Sequence, residues 1–220
     1  KDKLTKTICD HFPWSAKLEL WSNASKMEYR EPFFGSGAVG LKLMRIIDRD
    51  CSVWLNDMDR ALVSMWQAVQ QRPNELCAKI GAFVPESEKF YEFKESDDSL
   101  TGDIVEDGFR KLALHRMSFS GFGYMSGGPL GGKAQNNSQY HPGCRWKPQR
   151  LQLEVARIHK LMRRFKSCKI TCGDFMPLVE HAHDNCFIYA DPPYYKQGAA
   201  LYKFAMNDAD HERLASSLRE

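Results

Sequence analysis

Asp191-Pro192-Pro193-Tyr194 follows directly on the apolar run Phe187-Ile188-Tyr189-Ala190. Two successive prolines stiffen the backbone and donate no hydrogen bonds, so carbonyls beside them can be aimed at a ligand's amino group. Asp191 adds an anionic acceptor for the same amine, and Tyr194 adds a flat face on which a base can stack. An arylamine attacks poorly because its lone pair is delocalised into the ring. Two acceptors holding its hydrogens favour the pyramidal form, whose lone pair can attack a sulfonium methyl. The bland alternative is a strand that ends in Pro-Pro beside a packing tyrosine.

A second constellation is Glu31-Pro32-Phe33-Phe34-Gly35-Ser36-Gly37. Glycines at a strand-to-helix turn let backbone amides approach a ligand, and the helix start adds positive potential. The spacing is short for a dinucleotide fingerprint and lacks the Gly-Lys-Ser ending of a phosphate loop. A ligand with a carboxylate and no phosphates, such as the methionine part of S-adenosylmethionine, suits it better; a purely structural tight turn fits equally well. Asp57 closes the next strand, where a carboxylate can accept from both hydroxyls of a ribose. Asp59 competes for that role and can also be a helix cap. Asp174, after Gly173 and before Phe175, can reach an adenine edge or cap the segment that follows it.

Positioning these groups requires strands that end together. The pattern predicts a strand over Met27–Pro32, the glycine turn, and a helix over Ala38–Ile47. A second strand over Cys51–Leu55 follows, then a helix with Leu62, Met65, Trp66 and Val69 on one face. Strand, turn, helix, strand, acid is the opening of a doubly wound α/β sheet. Residues Pro73 to Phe93 read as helical with a break at Pro85, and the glycine-rich stretch Gly121–Gly132 with Asn136, Asn137 and Pro142 reads as a loop region. A helix resumes at Gln149, with Leu151, Val155, Ile158, Met162 and Phe165 as its apolar stripe. Lys169–Cys172 and Cys186–Ala190 are the third and fourth strands, and Asp208–Leu218 is a final helix. No internal repeat is evident.

Charge is unevenly spread. The net charge is +3, yet thirteen Lys or Arg residues and a single acid, Glu154, lie between Arg110 and Lys169, leaving the remainder negative. That asymmetry is the footprint of a polyanionic partner, although a solvated helix face also accounts for part of it. With 43% hydrophobic and 27% charged residues the composition is that of a soluble globular protein. No apolar run reaches membrane-spanning length, and no secretory signal is expected. The seven cysteines form no Cys-x-x-Cys pair. They suit a reducing compartment, so a cytoplasmic protein is expected. His181 and His183 lack companions for a metal site, and none is expected. The chain opens on Lys1 instead of Met, so a longer protein is expected.

Glu31–Gly37 with Ala38-Val39, then Asp57, then Asp191–Tyr194 resembles the DNA adenine-N6 methyltransferases of the Dam type. The likeness covers most of the chain, and its motif order is specific. Leu114-His115-Arg116-Met117-Ser118-Phe119-Ser120-Gly121 is similar to the family's recognition segment, Leu-Asn-Arg-x-x-x-Asn-Gly, and departs from it at His115 and Ser120. Lys1 stands where the lysine of the family's opening Trp-x-Gly-Gly-Lys motif would fall, and the family adds strands after the helix ending near Leu218.

The resemblance implies a Rossmann-like, doubly wound α/β methyltransferase sheet with an inserted, largely helical target-recognition region. Residues 1–83 are expected to form the cofactor-binding part, 84–150 the recognition insertion and 151–220 the catalytic part. S-adenosylmethionine, leaving as S-adenosylhomocysteine, is expected on Lys1, Glu31, Pro32, Phe33, Gly35, Ser36, Gly37, Asp57, Asp174, Phe175 and Asp191. Catalysis falls to Asp191, Pro192, Pro193 and Tyr194. Double-stranded DNA is expected at Arg116, Ser118, Ser120, Lys133, Arg145 and Lys147, met by a monomer. A ribosomal RNA adenine methyltransferase and a catalytically silent nucleic-acid-binding subunit are the alternatives. The basic insertion favours DNA over the first, and the intact box argues against the second.

Overall fold

The computed structural model describes residues 27–47, 49–135, 139–180, 182, 185–196 and 202–218. Lys1, Asn136, Asn137, His181 and His183 therefore lie outside the described residues. Four strands, β1 (Glu28–Glu31), β2 (Ser52–Asp57), β3 (Ser167–Cys172) and β4 (Cys186–Ile188), form a sheet in the order β3-β2-β1-β4. Every pairing is parallel. The chain first steps from β1 to β2 and then β3, and reaches the other side of β1 only with β4. The strand order therefore reverses between β1 and β4, and the carboxyl ends of all four strands share one edge of the sheet. That reversal point is where doubly wound sheets bind ligands.

Alternation along the strands gives the sheet two different faces. Tyr29, Val53, Leu55 and Ile170 share one face and are buried. The other face carries the register row Arg30, Trp54 and Lys169. There the Trp54 ring lies under both cations, with Lys169 Nζ 3.9 Å and Arg30 Cζ 5.3 Å from its centroid. Arg30 is buried but donates to Glu28 Oε2 at 2.6 Å and to the Leu178 carbonyl at 3.0 Å. Pairing of this kind makes a buried guanidinium tolerable.

The described residues divide into two compact units. The sheet unit runs up to Met58, from Lys160 to Pro192 and from Asp210 onward; the helical unit holds Asp59–His159 and Pro193–Ala209. In the sheet unit lie α1 (Gly40–Leu43) and, after β3, the short helix α7 (Met176–Val179). The helical unit is built from α2 (Arg60–Gln71), α3 (Pro73–Ala82), α4 (Ser87–Glu95), α5 (Ile104–Met117) and most of α6 (Pro148–Met162). Helix α8 spans Asp208–Ser217.

The structure corrects several sequence expectations. The helix expected over Ala38–Ile47 is regular only over Gly40–Leu43. Beyond it the amides of Arg45 and Ile46 reach back three residues, to Lys42 and Leu43, and tighten the turn. Strand β2 runs on to Asp57, because β3 keeps pairing with it as far as Cys172. Strand β4 stops at Ile188; one more amide, Tyr189 N, reaches the Arg30 carbonyl, and the prolines that follow have none to offer. In α2 the buried residues are Ala61, Val63, Ser64, Trp66, Ala68 and Val69, while Leu62 and Met65 are only half-buried. The helix is covered on more than one side, and α5 lies so close that a Cβ on Gly108 would stand 2.5 Å from Met65 Cα. The expected break at Pro85 matches the structure, as do Leu151, Val155, Ile158 and Met162 on the buried stripe of α6, whereas Phe165, though buried, lies beyond the end of that helix.

Candidate active site and nucleic-acid interface

The sheet unit gathers its chemistry at the carboxyl ends of the strands. Beyond β1 the backbone turns through Gly35 and Gly37, which adopt φ of 50° and 68° in the left-handed region. Glycine meets that demand without a Cβ penalty. A Cβ on Gly37 would press on the Phe34 ring at 2.9 Å, whereas one on Gly35 would meet nothing within 4 Å. Asp57, the last residue of β2, accepts the Gly35 amide at 2.7 Å and so fixes the turn. Asp59 accepts from Leu62 N at 3.2 Å and caps α2, so the two nearby acids have separate tasks.

Asn56 cross-links this edge, and sequence reasoning missed it. Its Nδ2 donates to the carbonyls of Pro32 at 3.2 Å and Gly173 at 2.9 Å. Its Oδ1 accepts from Thr171 Oγ1 at 2.8 Å. One buried amide thus ties the ends of β1, β2 and β3 together. An asparagine next to a strand-terminal acid was the only signal available. Phe33 and Phe175 meet with ring centroids 5.3 Å apart, joining the loops after β1 and β3. Asp174 accepts from Met176 N at 2.8 Å and pairs with Arg213 Nη2 at 3.1 Å. The first of these bonds makes a turn from Asp174 to the amide two residues on, while Phe175 is the N-cap residue of α7. Ser36 is exposed at the turn and Pro32 is buried.

Glu31 is 2% exposed, with Tyr29 OH donating to its Oε2 at 2.6 Å. Burial pushes its carboxyl up to about 8; the tyrosine and the Gly40 amide oppose this, and Asp191 and Asp57 reinforce it. Asp191 is exposed, and the desolvation it does feel holds its carboxyl above the usual range. Three carboxyl groups, on β1, β2 and the segment after β4, thus share one electrostatic neighbourhood. The two-unit division falls inside the Asp-Pro-Pro-Tyr box, after Pro192, so Asp191 and Pro192 belong to the sheet unit, and Pro193 and Tyr194 to the helical unit. Tyr194 is exposed, and its ring meets Tyr202 edge-on at 6.1 Å.

In the helical unit the segment Leu114–Gly121, expected from sequence to meet DNA, ends α5 and forms the turn after it. His115 Nδ1 lies 3.1 Å from the Gly121 carbonyl, and burial depresses the ring's basicity. Ser118 is buried; its hydroxyl donates to the His115 carbonyl at 2.9 Å and accepts the Gly123 amide at 2.9 Å. Ser120 holds φ of 60°, a conformation asparagine takes more readily than serine. That gives a physical reason for the family's asparagine at this place. Arg116 is exposed, yet packing and then the charges of Arg150 and Arg145 lower its basicity, opposed by Glu154. Three arginines that repel one another are thus held together. Arg145 donates to the Ser118 carbonyl at 3.4 Å, while Lys133 and Lys147 are exposed. Phe119 and Phe122, 64% and 47% exposed, project from the same turn. Sequence reasoning passed over them, although large apolar residues in a glycine-rich loop were the available signal.

A parallel sheet whose order reverses at β1, with a glycine turn beside it and an Asp-Pro-Pro-Tyr box beyond the edge strand, is the arrangement of a Rossmann-like methyltransferase. Residues 1–220 match the model of the D12 class N6 adenine-specific DNA methyltransferase family, and the chain belongs to that family. It is 27% identical over 169 residues to the type II methyltransferase M1.LlaDCHI of Lactococcus lactis subsp. cremoris, covering 74% of this chain and 55% of that protein. It is 24% identical over 209 residues to the type II methyltransferase M.MjaIII of Methanocaldococcus jannaschii, covering 88% and 69%. No described helix is long and apolar enough to cross a membrane, and no metal-binding cluster occurs among the described residues.

Proposed function

We propose that this protein binds S-adenosylmethionine at the carboxyl ends of its strands and methylates the N6 amine of adenine at specific sites in duplex DNA. The observation that carries the reading is the convergence of Gly35, Asp57, Gly173 and Asp191 on one edge of a reversing parallel sheet. The cofactor suits that edge. Positions beside Gly35 and Gly173 are open, with nothing within 4 Å of a Cβ built on either. Asp57 and Asp191 match a molecule carrying a sulfonium and an ammonium, while the buried, protonated Glu31 adds no charge. When bound, that cofactor supplies an electrophilic methyl group.

The chain's own residues do the rest. Asp57 and Asn56 hold the glycine turn in shape, and Phe33 with Phe175 offers an aromatic wall for a purine. Asp191 accepts from the target amine, and Tyr194 stacks on the extruded base. Extruding that base costs a few kcal/mol, which stacking and hydrogen bonding offset. Positioning and electrostatics suffice for direct in-line transfer. The arginine cluster at Arg116, Arg145 and Arg150 binds phosphates, and Phe119 and Phe122 present apolar surface to the bases. Lys133 and Lys147 add exposed positive charge.

Methyl incorporation from labelled S-adenosylmethionine into duplex DNA and into ribosomal RNA tests the reading. Incorporation into DNA at adenine is expected, and Asp191→Ala should abolish it while leaving the fold intact. Preferential methylation of the RNA, or near-normal turnover by Asp191→Ala, would overturn it.

A further inference from the structure

We propose that Lys203 is a positioning residue that ties the segment after the Asp-Pro-Pro-Tyr box to the recognition helix, so that Tyr194 is placed by the element that meets the DNA. The inference rests on the proposed function, because Tyr194 matters in this way only if it stacks on a target base. All the residues involved belong to the helical unit, which holds both Asp59–His159 and Pro193–Ala209.

At the centre is Asp97, just beyond α4, with its side chain 3% exposed. Lys111 of α5 reaches Asp97 Oδ1 at 3.3 Å and Asp59 Oδ2, at the α2 cap, at 2.7 Å. Lys203 comes from a part of the chain roughly a hundred residues later. Its ammonium pairs with the other Asp97 oxygen, with Asp98 Oδ1 at 2.6 Å, and with the Asp97 carbonyl at 3.4 Å. Burial works against the Lys203 charge, yet the two carboxylates win and hold its basicity above the ordinary value. A buried charge network like this is geometrically exacting, because an unmatched partner is costly. It therefore fixes where the late segment sits on the helical unit.

Two further contacts connect the node to functional residues. On one side, Tyr202 adjoins Lys203 and meets the Tyr194 ring edge-on. On the other, the Lys203 ammonium lies 4.9 Å from the Tyr124 ring centroid, and Lys94 shares the same ring at 5.8 Å. Lys94 also donates to the Ser126 carbonyl at 2.6 Å, and Ser126 Oγ donates to the Phe119 carbonyl at 3.0 Å. A continuous set of polar and cation–π contacts thus runs from Tyr194 to the turn bearing Phe119. Between the two ends, Tyr202, Lys203, Tyr124, Lys94 and Ser126 lie in no motif read from the sequence.

The test uses the full protein and a cognate duplex with 2-aminopurine at the target position, whose fluorescence rises when the base leaves the stack. Lys203→Ala should leave cofactor affinity within about twofold and lower kcat about tenfold. It should also blunt the fluorescence rise at saturating DNA, and Lys203→Arg should restore much of both. A structural role alone would lower the folded fraction without changing the fluorescence per bound duplex. If Lys203→Ala does not fold, Tyr124→Leu replaces a half-exposed ring and should give the same split between kcat and binding. Normal kcat and a normal fluorescence rise in whichever variant folds would overturn the proposal. Failure of the wild-type protein to methylate any duplex DNA would instead overturn the functional reading on which it rests.

Discussion

Glu31 sits at the end of β1 with its carboxyl enclosed by Tyr29 and Gly40, and its burial raises it from 4.5 to about 8. The folded state therefore holds a proton that the unfolded chain releases across that interval. Its contribution to stability is fully present below pH 4.5 and is lost as pH rises to about 8. Thermal melting between those limits should show the wild type losing stability relative to Glu31→Gln as pH rises. A difference between the two that stays constant across this range would contradict the assignment. Asp57 carries the opposite kind of prediction. Removing its carboxylate strips the acceptor from the Gly35 amide, a loss of about 1–3 kcal/mol where the group is partly buried. Titration calorimetry should find S-adenosylmethionine bound at least about tenfold more weakly by Asp57→Ala. An unchanged dissociation constant for a folded variant would remove Asp57 from the cofactor site.

Among the elements, the pair α2 and α5 depends on one missing side chain. At Gly108 a Cβ would stand 2.5 Å from Met65 Cα and 2.6 Å from Met65 N. Backbone atoms cannot yield as the end of a flexible side chain does. Alanine favours a helix over glycine by about 1 kcal/mol, while overpacking a core costs about 1–3 kcal/mol. Gly108→Ala should therefore destabilise on balance, which urea unfolding would read as a lower midpoint. A midpoint at or above the wild-type value would mean that the helices have room to part. The recognition turn after α5 is constrained in a similar way, since a Cβ on Gly123 would come within 2.8 Å of the His115 ring. That turn is held by its own hydrogen bonds, so its exposed Phe119 is presented from a defined backbone.

For the molecule as a whole, the proposed contact with DNA draws on the basic surplus between Arg110 and Lys169. Phosphate contacts release counterions, so DNA affinity should fall steeply and linearly on a logarithmic salt axis. Arg116→Ala should change the preferred sequence, whereas Lys133→Ala should weaken binding to all sequences alike and make the salt slope shallower by about one unit. Binding measured at several salt concentrations on cognate and random duplexes distinguishes the two. Equal affinities and slopes for both variants and the wild type would place the DNA surface elsewhere.

The strands, their acids and the box were legible in the sequence, because each rests on local rules. Apolar runs mark parallel strands, glycines mark a left-handed turn, and Pro-Pro ends a ladder for want of amide protons. Motif order then pointed to the family without reference to packing. Tertiary structure alone decided which side chain does which job. Asp57 and Asp59 look alike in sequence, yet one fixes the glycine turn and the other caps a helix. The buried set of α2 shifted because a second helix covers it, which periodicity within one helix cannot register. Asn56, Asp97 and Lys203 carried no motif at all. Their roles come from partners distant in the chain, and their electrostatic weight comes from the burial that folding imposes.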